Sequence, residues 1–142
     1  MREIVRAYRV NLDIRQAATN TIFLTPERDE LSEVHALFSL VRDSVRYVRD
    51  VHDVETISSP DVTLAGRVGD CDDQTVLLAS LLESVGYQTR FVVAGYSEPG
   101  ALEHVYLQVL AAGDWINCDA TEQGQPLGWA PPGAVCLYIE RV

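Results

Sequence analysis

The chain has 142 residues, of which 47% are hydrophobic and 23% are charged, and its formal net charge at pH 7 is −10. These proportions are those of a globular protein, and the length suits one domain with a real core, so we predict a single domain over residues 1–142. The negative balance argues against nucleic acid as a partner, because binding a phosphate backbone requires a clustered basic face.

Targeting and membrane signals are missing from the sequence. No apolar run approaches the roughly 18 residues that would span a bilayer, and the N-terminal stretch MREIVRAYRV lacks the apolar centre of a signal peptide. We therefore expect a soluble, cytoplasmic protein with no membrane partner. Three cysteines without a CxxC spacing predict neither a disulfide framework nor a four-ligand zinc site: Cys71, Cys118 and Cys136.

The N-terminal half reads as helical. The first twenty residues show a weak stripe of apolar residues. Thr25-Pro26-Glu27 is typical of a helix start, with a hydroxyl N-cap, proline at the first helical position and an acid in the first turn. Apolar residues follow at three- and four-residue steps, which predicts an amphipathic helix: Leu31, Val34, Leu37, Phe38, Val41, Val45 and Val48. We interpret Ile57 to Gly69 as an irregular connection with a turn at 58–61.

The central stretch GDCDDQTVLLASLLESVG, Gly69 to Gly86, predicts a buried helix. Val76 to Leu82 is apolar apart from Ser80 and covers every side of a helix, which is typical of a helix buried all round. Gly86 supplies the left-handed residue that ends it.

Beyond this helix the apolar period changes to two. We predict strands at Arg90 to Ala94, His104 to Leu110, Trp115 to Asp119 and Val135 to Ile139. Helices first and strands afterwards indicate an α+β fold, in which an antiparallel sheet packs on the central helix.

Cys71 is the predicted first residue of the central helix. A helix N-terminus presents unpaired N–H groups and a partial positive charge, which favour the thiolate and can bind an oxyanion. Asp70, Asp72 and Asp73 fit a helix start as cap and first-turn acids, but their charge works against a thiolate. The motif alone therefore leaves the nucleophile undecided, and a base is needed.

The second hairpin offers that base. With Ala112-Gly113 as its tip, His104 opposes Thr121, and Asp119 is the diagonal neighbour of His104 on the same face. Such neighbours lie roughly 7–8 Å apart between α-carbons, within reach of an imidazole and a carboxylate. Cys118 points to the other face and is predicted to lie in the core. This geometry favours Cys71 as nucleophile, His104 as base and Asp119 as the group that orients the imidazole.

Two other interpretations of these residues stay open. In one, Cys71 is a buried thiol, His104 a strand-end residue and Asp119 a turn former. In the other, four carboxylates bind calcium, although the EF-hand spacing is absent and helix-start electrostatics already explains the acids: Asp70, Asp72, Asp73 and Glu83.

The segments GDCDDQTVLLASLLESVG, EHVYLQV and WINCDAT closely resemble the transglutaminase-like superfamily of papain-like thiol enzymes. The resemblance assigns the nucleophile, base and orienting roles to Cys71, His104 and Asp119. The resemblance extends upstream through RYVRDVHDVETISSPDVTL and so covers about residues 41–121. Four residues of this upstream segment match recurrent positions of the superfamily: Tyr47, Asp50, Glu55 and Pro60.

The resemblance implies a compact bacterial or phage enzyme that cleaves or transfers an amide or peptide bond through a thioester, acting on a peptide or protein without cofactor or metal. Hydrolysis is favoured over transfer. The chain leaves no room for the added β-domains of full-sized crosslinking transglutaminases. No motif places a side chain in the oxyanion hole, and Trp115 reads more simply as a hairpin residue packing on the core. The alternative is a non-catalytic binding or assembly module.

Overall fold

The computed structural model describes residues 1–49 and 56–142. Its helices are α1 Arg2–Tyr8, α2 Leu12–Ile22, α3 Glu30–Ser44, α4 Pro60–Gly66 and α5 Cys71–Ser84. Its strands are β1 Arg46–Tyr47, β2 Val68–Gly69, β3 Gln88–Gly95, β4 His104–Ala111, β5 Asp114–Cys118 and β6 Cys136–Arg141.

Four strands form an antiparallel sheet in the order β5-β4-β3-β6, and β1 and β2 form a separate parallel pair. Helix α5 contacts β3 and β4 on one side and all four other helices elsewhere. The predicted α+β fold, with an antiparallel sheet packed on a central helix, is confirmed.

Helix α5 is buried all round, as its composition predicts. Every residue from Val76 to Leu82 is fully shielded from solvent. The one polar member, Ser80, satisfies its hydroxyl by donating to the Val76 carbonyl 2.8 Å away. Gly86, at φ +102°, follows the helix in the left-handed region that glycine adopts without strain. Burial of this helix places its first residue, Cys71, against the end of the sheet.

The β4–β5 hairpin has the predicted register. Ala112-Gly113 forms its tip, and the pairs run from Ala111 with Asp114 to Leu107 with Cys118. Both tip residues have positive φ, as a two-residue hairpin turn requires. Strand β5 begins and ends one residue earlier than predicted, so Asp119 lies just beyond it.

The predicted start of the long helix is wrong. Helix α3 begins at Glu30, where the Asp29 carboxylate caps it by accepting from the backbone N–H of Ser32 at 3.0 Å. The Thr25 hydroxyl instead donates back to the Ile22 carbonyl at 2.7 Å. Arg28, at φ +60°, separates the two sites, because a left-handed residue cannot continue a helix. The helix also ends at Ser44, so Val48 lies outside it.

The predicted irregular connection over Ile57 to Gly69 is also wrong. It contains α4, with Ser59 at the N-cap position and Pro60 as the first helical residue, followed by β2. Near the N-terminus, the weak stripe belongs to two helices, α1 and α2, which are separated by the N-cap Asn11. None of the helices in residues 1–49 and 56–142 is long and apolar enough to cross a membrane.

Candidate active site

The acids around Cys71 organise the start of helix α5. Asp70 is the N-cap, and its carboxylate accepts from the Asp73 backbone N–H at 3.0 Å. The Asp73 carboxylate accepts in return from the Asp70 N–H at 3.4 Å and, through its other oxygen, from the Ser58 N–H at 2.6 Å. This capping box fixes the first turn of the helix and, with it, the backbone of Cys71.

The parallel pair β1–β2 lies next to the start of α5, because β2 ends at Gly69. Tyr47 pairs with Gly69, and the Val48 N–H donates to the Gly69 carbonyl at 3.1 Å. A Cβ at position 69 would lie 2.7 Å from the Asp73 Cβ, closer than packed atoms approach, so only glycine fits there. Close packing at Gly69 thereby brings Tyr47 next to the first turn of α5.

A hydrogen bond joins α5 to the strand that carries His104. The Thr75 hydroxyl, one turn after Cys71, donates to the Val105 carbonyl at 3.2 Å. Because Val105 is the neighbour of His104 along β4, this bond fixes the distance between the helix start and the imidazole.

His104 and Asp119 meet at the open end of the hairpin. His104 Nε2 lies 2.7 Å from Asp119 Oδ2, and the Asp119 side chain has 0% exposure whereas His104 retains 17%. The other Asp119 oxygen accepts from the Thr121 N–H at 3.0 Å and from the Thr121 hydroxyl at 2.6 Å. Thr121 thus fixes one oxygen of the Asp119 carboxylate, and the other oxygen faces the imidazole.

Cys71 and His104 line the same cavity, and the nearby thiol is one of the causes that raise the pKa of the imidazole. Burial by itself would lower the pKa of His104, but the hydrogen bond with Asp119 and the proximity of Cys71 outweigh it and raise the pKa to about 9. Since Nε2 faces Asp119, Nδ1 is the ring nitrogen left for the thiol. Cys71 and His104 thus line one cavity, and the His104–Asp119 hydrogen bond lies beside it.

The family model described as the transglutaminase-like superfamily matches residues 16–120. This chain belongs to that superfamily. The matched segment contains the start of α5 and the whole β4–β5 hairpin, so it includes Cys71, His104 and Asp119. Among curated proteins, none matches the sequence.

Several solved structures share the fold of this chain. A candidate cysteine protease from Cytophaga hutchinsonii has a TM-score of 0.63 at 16% identity, covering 92% of this chain and 50% of its own. A candidate protease from Parabacteroides distasonis has a TM-score of 0.67 at 11% identity, covering 80% and 23%. LapG of Legionella pneumophila has a TM-score of 0.62 at 19% identity, covering 99% and 81%.

These identities establish the fold alone. The chain spans half the length of the Cytophaga protein and about a quarter of the Parabacteroides protein. The predicted papain-like fold is thereby confirmed for this member of the superfamily.

Two small cavities adjoin His104. One, of about 200 Å³, is lined by the start of α5, by β3 and β4 and by the residues just before β4, among them Cys71, Asp72 and Glu103. The other, of about 210 Å³, is lined by Tyr47, Arg49, His104, Thr121 and Glu122. The imidazole of His104 therefore borders both cavities.

The remaining candidates lie elsewhere. Trp115 pairs with Leu110 near the hairpin tip, and the Arg90 guanidinium covers its ring at 4.1 Å, so it is remote from Cys71. Cys118 lies in the core as predicted, where burial raises the pKa of its thiol. Cys136 begins β6. Asp50 and Glu55 lie outside the described residues.

The acids proposed for calcium do not converge. Asp70 and Asp73 cap the helix start, whereas Glu83, three turns away, accepts from the Thr89 N–H and hydroxyl and pairs with Arg9. Within residues 1–49 and 56–142, no group of three or more His, Cys, Asp or Glu side chains is placed to hold a metal ion.

Sequence reasoning missed two residues of this site. The hairpin register predicts Thr121 opposite His104, but not the two hydrogen bonds that Thr121 donates to the Asp119 carboxylate. Tyr47 was noted only as a recurrent position. A short Asx-type turn, Asp-Ala-Thr at 119–121, was the available signal for Thr121.

Proposed function

We propose that this protein is a thiol-dependent acyl-transfer enzyme that cleaves an amide or peptide bond in a peptide or protein substrate. The observation that carries the proposal is the position of His104, which is hydrogen-bonded to Asp119 and lines one cavity with Cys71. The likeness to two candidate proteases supports the substrate class.

In the proposed reaction, His104 holds the proton of the Cys71 thiol before attack. A pKa of about 9 keeps the imidazole protonated at pH 7, and an imidazolium next to the sulfur favours the nucleophilic thiolate form. The thiolate attacks the substrate carbonyl carbon, and the carbonyl π electrons move to the oxygen. The backbone N–H of Cys71, at the N-terminus of α5, donates to this oxyanion.

Collapse of the tetrahedral intermediate breaks the C–N bond. His104 gives its proton to the leaving nitrogen, and an acyl thioester remains on Cys71. Water then attacks the thioester while His104 accepts its proton. The C–S bond breaks, the carboxylic acid leaves, and the thiol is restored. An amine in place of water gives transfer by the same steps.

Asp119 acts through His104. Its bond to Nε2 fixes the ring so that Nδ1 faces the sulfur, and its charge stabilises the imidazolium. Thr121 keeps the carboxylate in place. We class Asp119 and Thr121 as positioning residues, since neither reaches the reacting atoms.

Selective alkylation tests the proposal without a known substrate. Iodoacetamide at pH 7, followed by peptide mapping, should modify Cys71 faster than Cys118 or Cys136. His104→Ala should slow labelling of Cys71 about 10–30-fold, because an ordinary thiol is only a few per cent thiolate at this pH. His35→Ala is the matched control, since His35 is exposed on α3. Equal labelling of Cys71 in the parent and His104→Ala proteins refutes the proposal.

A second candidate is a non-catalytic binding module. A structure of the Rad4/XPC nucleotide excision repair complex contains a chain with this fold, with a TM-score of 0.57 at 12% identity over 92% of this chain and 40% of its own. That complex opens the DNA duplex, which is the observation that favours this candidate. Slow, His104-independent labelling of Cys71 is the outcome that this candidate requires.

A further inference from the structure

The two cavities beside His104 differ in charge. The first, which includes Cys71, is lined by the carboxylates of Asp72 and Glu103. Hydrogen bonds from the backbone N–H groups of Tyr96 and Ser97, at 2.6 and 2.9 Å, lower the pKa of Glu103 and so keep it ionised. An anionic substrate group is therefore repelled from this side.

The second cavity contains a cation and a hydroxyl donor. Arg49 and Tyr47 are two residues apart in the chain, and both line this cavity. Burial raises the pKa of Tyr47, and the nearby Arg49 guanidinium opposes that rise, so the two groups lie close together. The phenol therefore keeps its proton and can donate it in a hydrogen bond.

Arg49 and Tyr47 also lie close to the candidate nucleophile. Tyr47 pairs with Gly69, two residues before Cys71, and shares its cavity with the imidazole of His104. A guanidinium presents a planar set of donors that matches a carboxylate, and a phenol O–H adds a further donor.

From this arrangement, and resting on the proposed function, we infer that Arg49 is a specificity-determining residue that, with Tyr47, binds a substrate carboxylate next to the scissile bond. The ligand chemistry is a carboxylate, carried either by an acidic side chain or by a free chain terminus. Glu122 lines the same cavity, so its charge opposes this binding and limits its strength.

Four alkylating reagents test the inference on the whole protein. N-iodoacetyl-glutamate α-amide and N-iodoacetyl-glutamine α-amide differ only in a side-chain carboxylate. N-iodoacetyl-alanine and its amide differ only in a terminal carboxylate. The measured quantity is the ratio of Cys71 labelling rates, acid over amide, within each pair. A higher ratio in the first pair identifies an acidic side chain as the ligand, and a higher ratio in the second identifies a chain terminus.

Arg49→Gln should lower the ratio of the preferred pair about 3–10-fold, as expected for one partly solvated charge near the carboxylate. Glu122→Gln should raise it, because the opposing charge is removed. Tyr47→Phe should lower it by a smaller factor. Arg46→Gln is the matched control, since Arg46 lies on the same segment but lines neither cavity.

The results separate this inference from the proposed function. Equal ratios in the Arg49→Gln, Arg46→Gln and parent proteins overturn the inference, even where His104 still accelerates labelling. An equal fall in Arg49→Gln and Arg46→Gln also overturns it, because the effect is then that of net charge alone. Loss of His104 dependence with an intact Arg49 effect refutes only the thiol-enzyme proposal.

Discussion

His104 Nε2 and Asp119 Oδ2 lie 2.7 Å apart at the open end of the β4–β5 hairpin, beyond the last paired residue of β5. Strand pairing brings the two residues near each other but does not orient the carboxylate. That task falls to Thr121, which binds the second carboxylate oxygen through both its backbone N–H and its hydroxyl. The pair is therefore a product of the hairpin register and of the turn that follows it.

Removal of the Asp119 charge should slow the reaction more than removal of the Thr121 hydroxyl. For Asp119→Asn we expect a loss of about 10–20-fold in iodoacetamide labelling of Cys71, no larger than the loss in His104→Ala, because Asp119 acts through that imidazole. For Thr121→Val, which keeps the backbone donor, we expect about 3–10-fold. Thr89→Val, at the far end of β3, is the control and should leave labelling unchanged. Equal rates in Asp119→Asn and the parent contradict the positioning role.

Stability should depend on pH through His104. Its pKa is raised from 6.5 to about 9 in the folded state, so the folded protein binds this proton more tightly than the unfolded chain does. The stabilisation is fully present below pH 6.5 and disappears as the pH rises through 9. After allowance for solvent screening, we expect the free energy of unfolding to lose about 1–2 kcal/mol from this group.

Urea unfolding at pH 6.5 and pH 9.5, compared between the parent and His104→Gln, measures that contribution. The difference between the two proteins should shrink at the higher pH. The Asp119→Asn background should weaken the effect, because the hydrogen bond with Asp119 is a main cause of the raised pKa. A difference that does not change with pH shows that His104 gains no proton affinity on folding.

The positions of the central helix and the hairpin were predictable because their signals are local. Val76 to Leu82 is apolar on every side, and a two-residue tip fixes the strand register by parity. The first residues of α3 and α4 were not predictable, because Thr25-Pro26-Glu27 and Ser59-Pro60-Asp61 carry the same helix-start pattern. Only the second begins a helix, since Arg28 turns left-handed after the first.

The surroundings of the site depend on contacts between distant segments. Tyr47 reaches the start of α5 only because β1 pairs in parallel with β2, and two-residue strands leave no periodic signal in a sequence. The hydrogen bond that the Ser58 N–H donates to the Asp73 carboxylate joins residues 15 apart in the chain. Local patterns predict neither contact.

Asp73 should contribute to stability through its buried carboxylate. The side chain accepts from the Ser58 and Asp70 backbone N–H groups, and the residue is 5% exposed. Asp73→Ala leaves those donors without this acceptor, so we expect a loss of about 1–3 kcal/mol in the free energy of unfolding. Asp13→Ala, an exposed first-turn acid of α2, is the control and should change it by less than about 0.5 kcal/mol. Similar losses in both variants exclude a special role for Asp73.

Two candidate N-caps of helix α3, Thr25 and Asp29, lie four residues apart. Asp29 accepts from the Ser32 N–H at 3.0 Å and from its hydroxyl at 2.7 Å, whereas Thr25 donates to a carbonyl of the preceding helix. Asp29→Ala should therefore lower the free energy of unfolding by about 0.5–2 kcal/mol, the usual cost of removing an N-cap. Thr25→Ala should cost less than about 0.5 kcal/mol. Urea unfolding of both variants decides between the caps: a larger loss in Thr25→Ala means that the helix begins at Pro26, as the sequence pattern alone indicates.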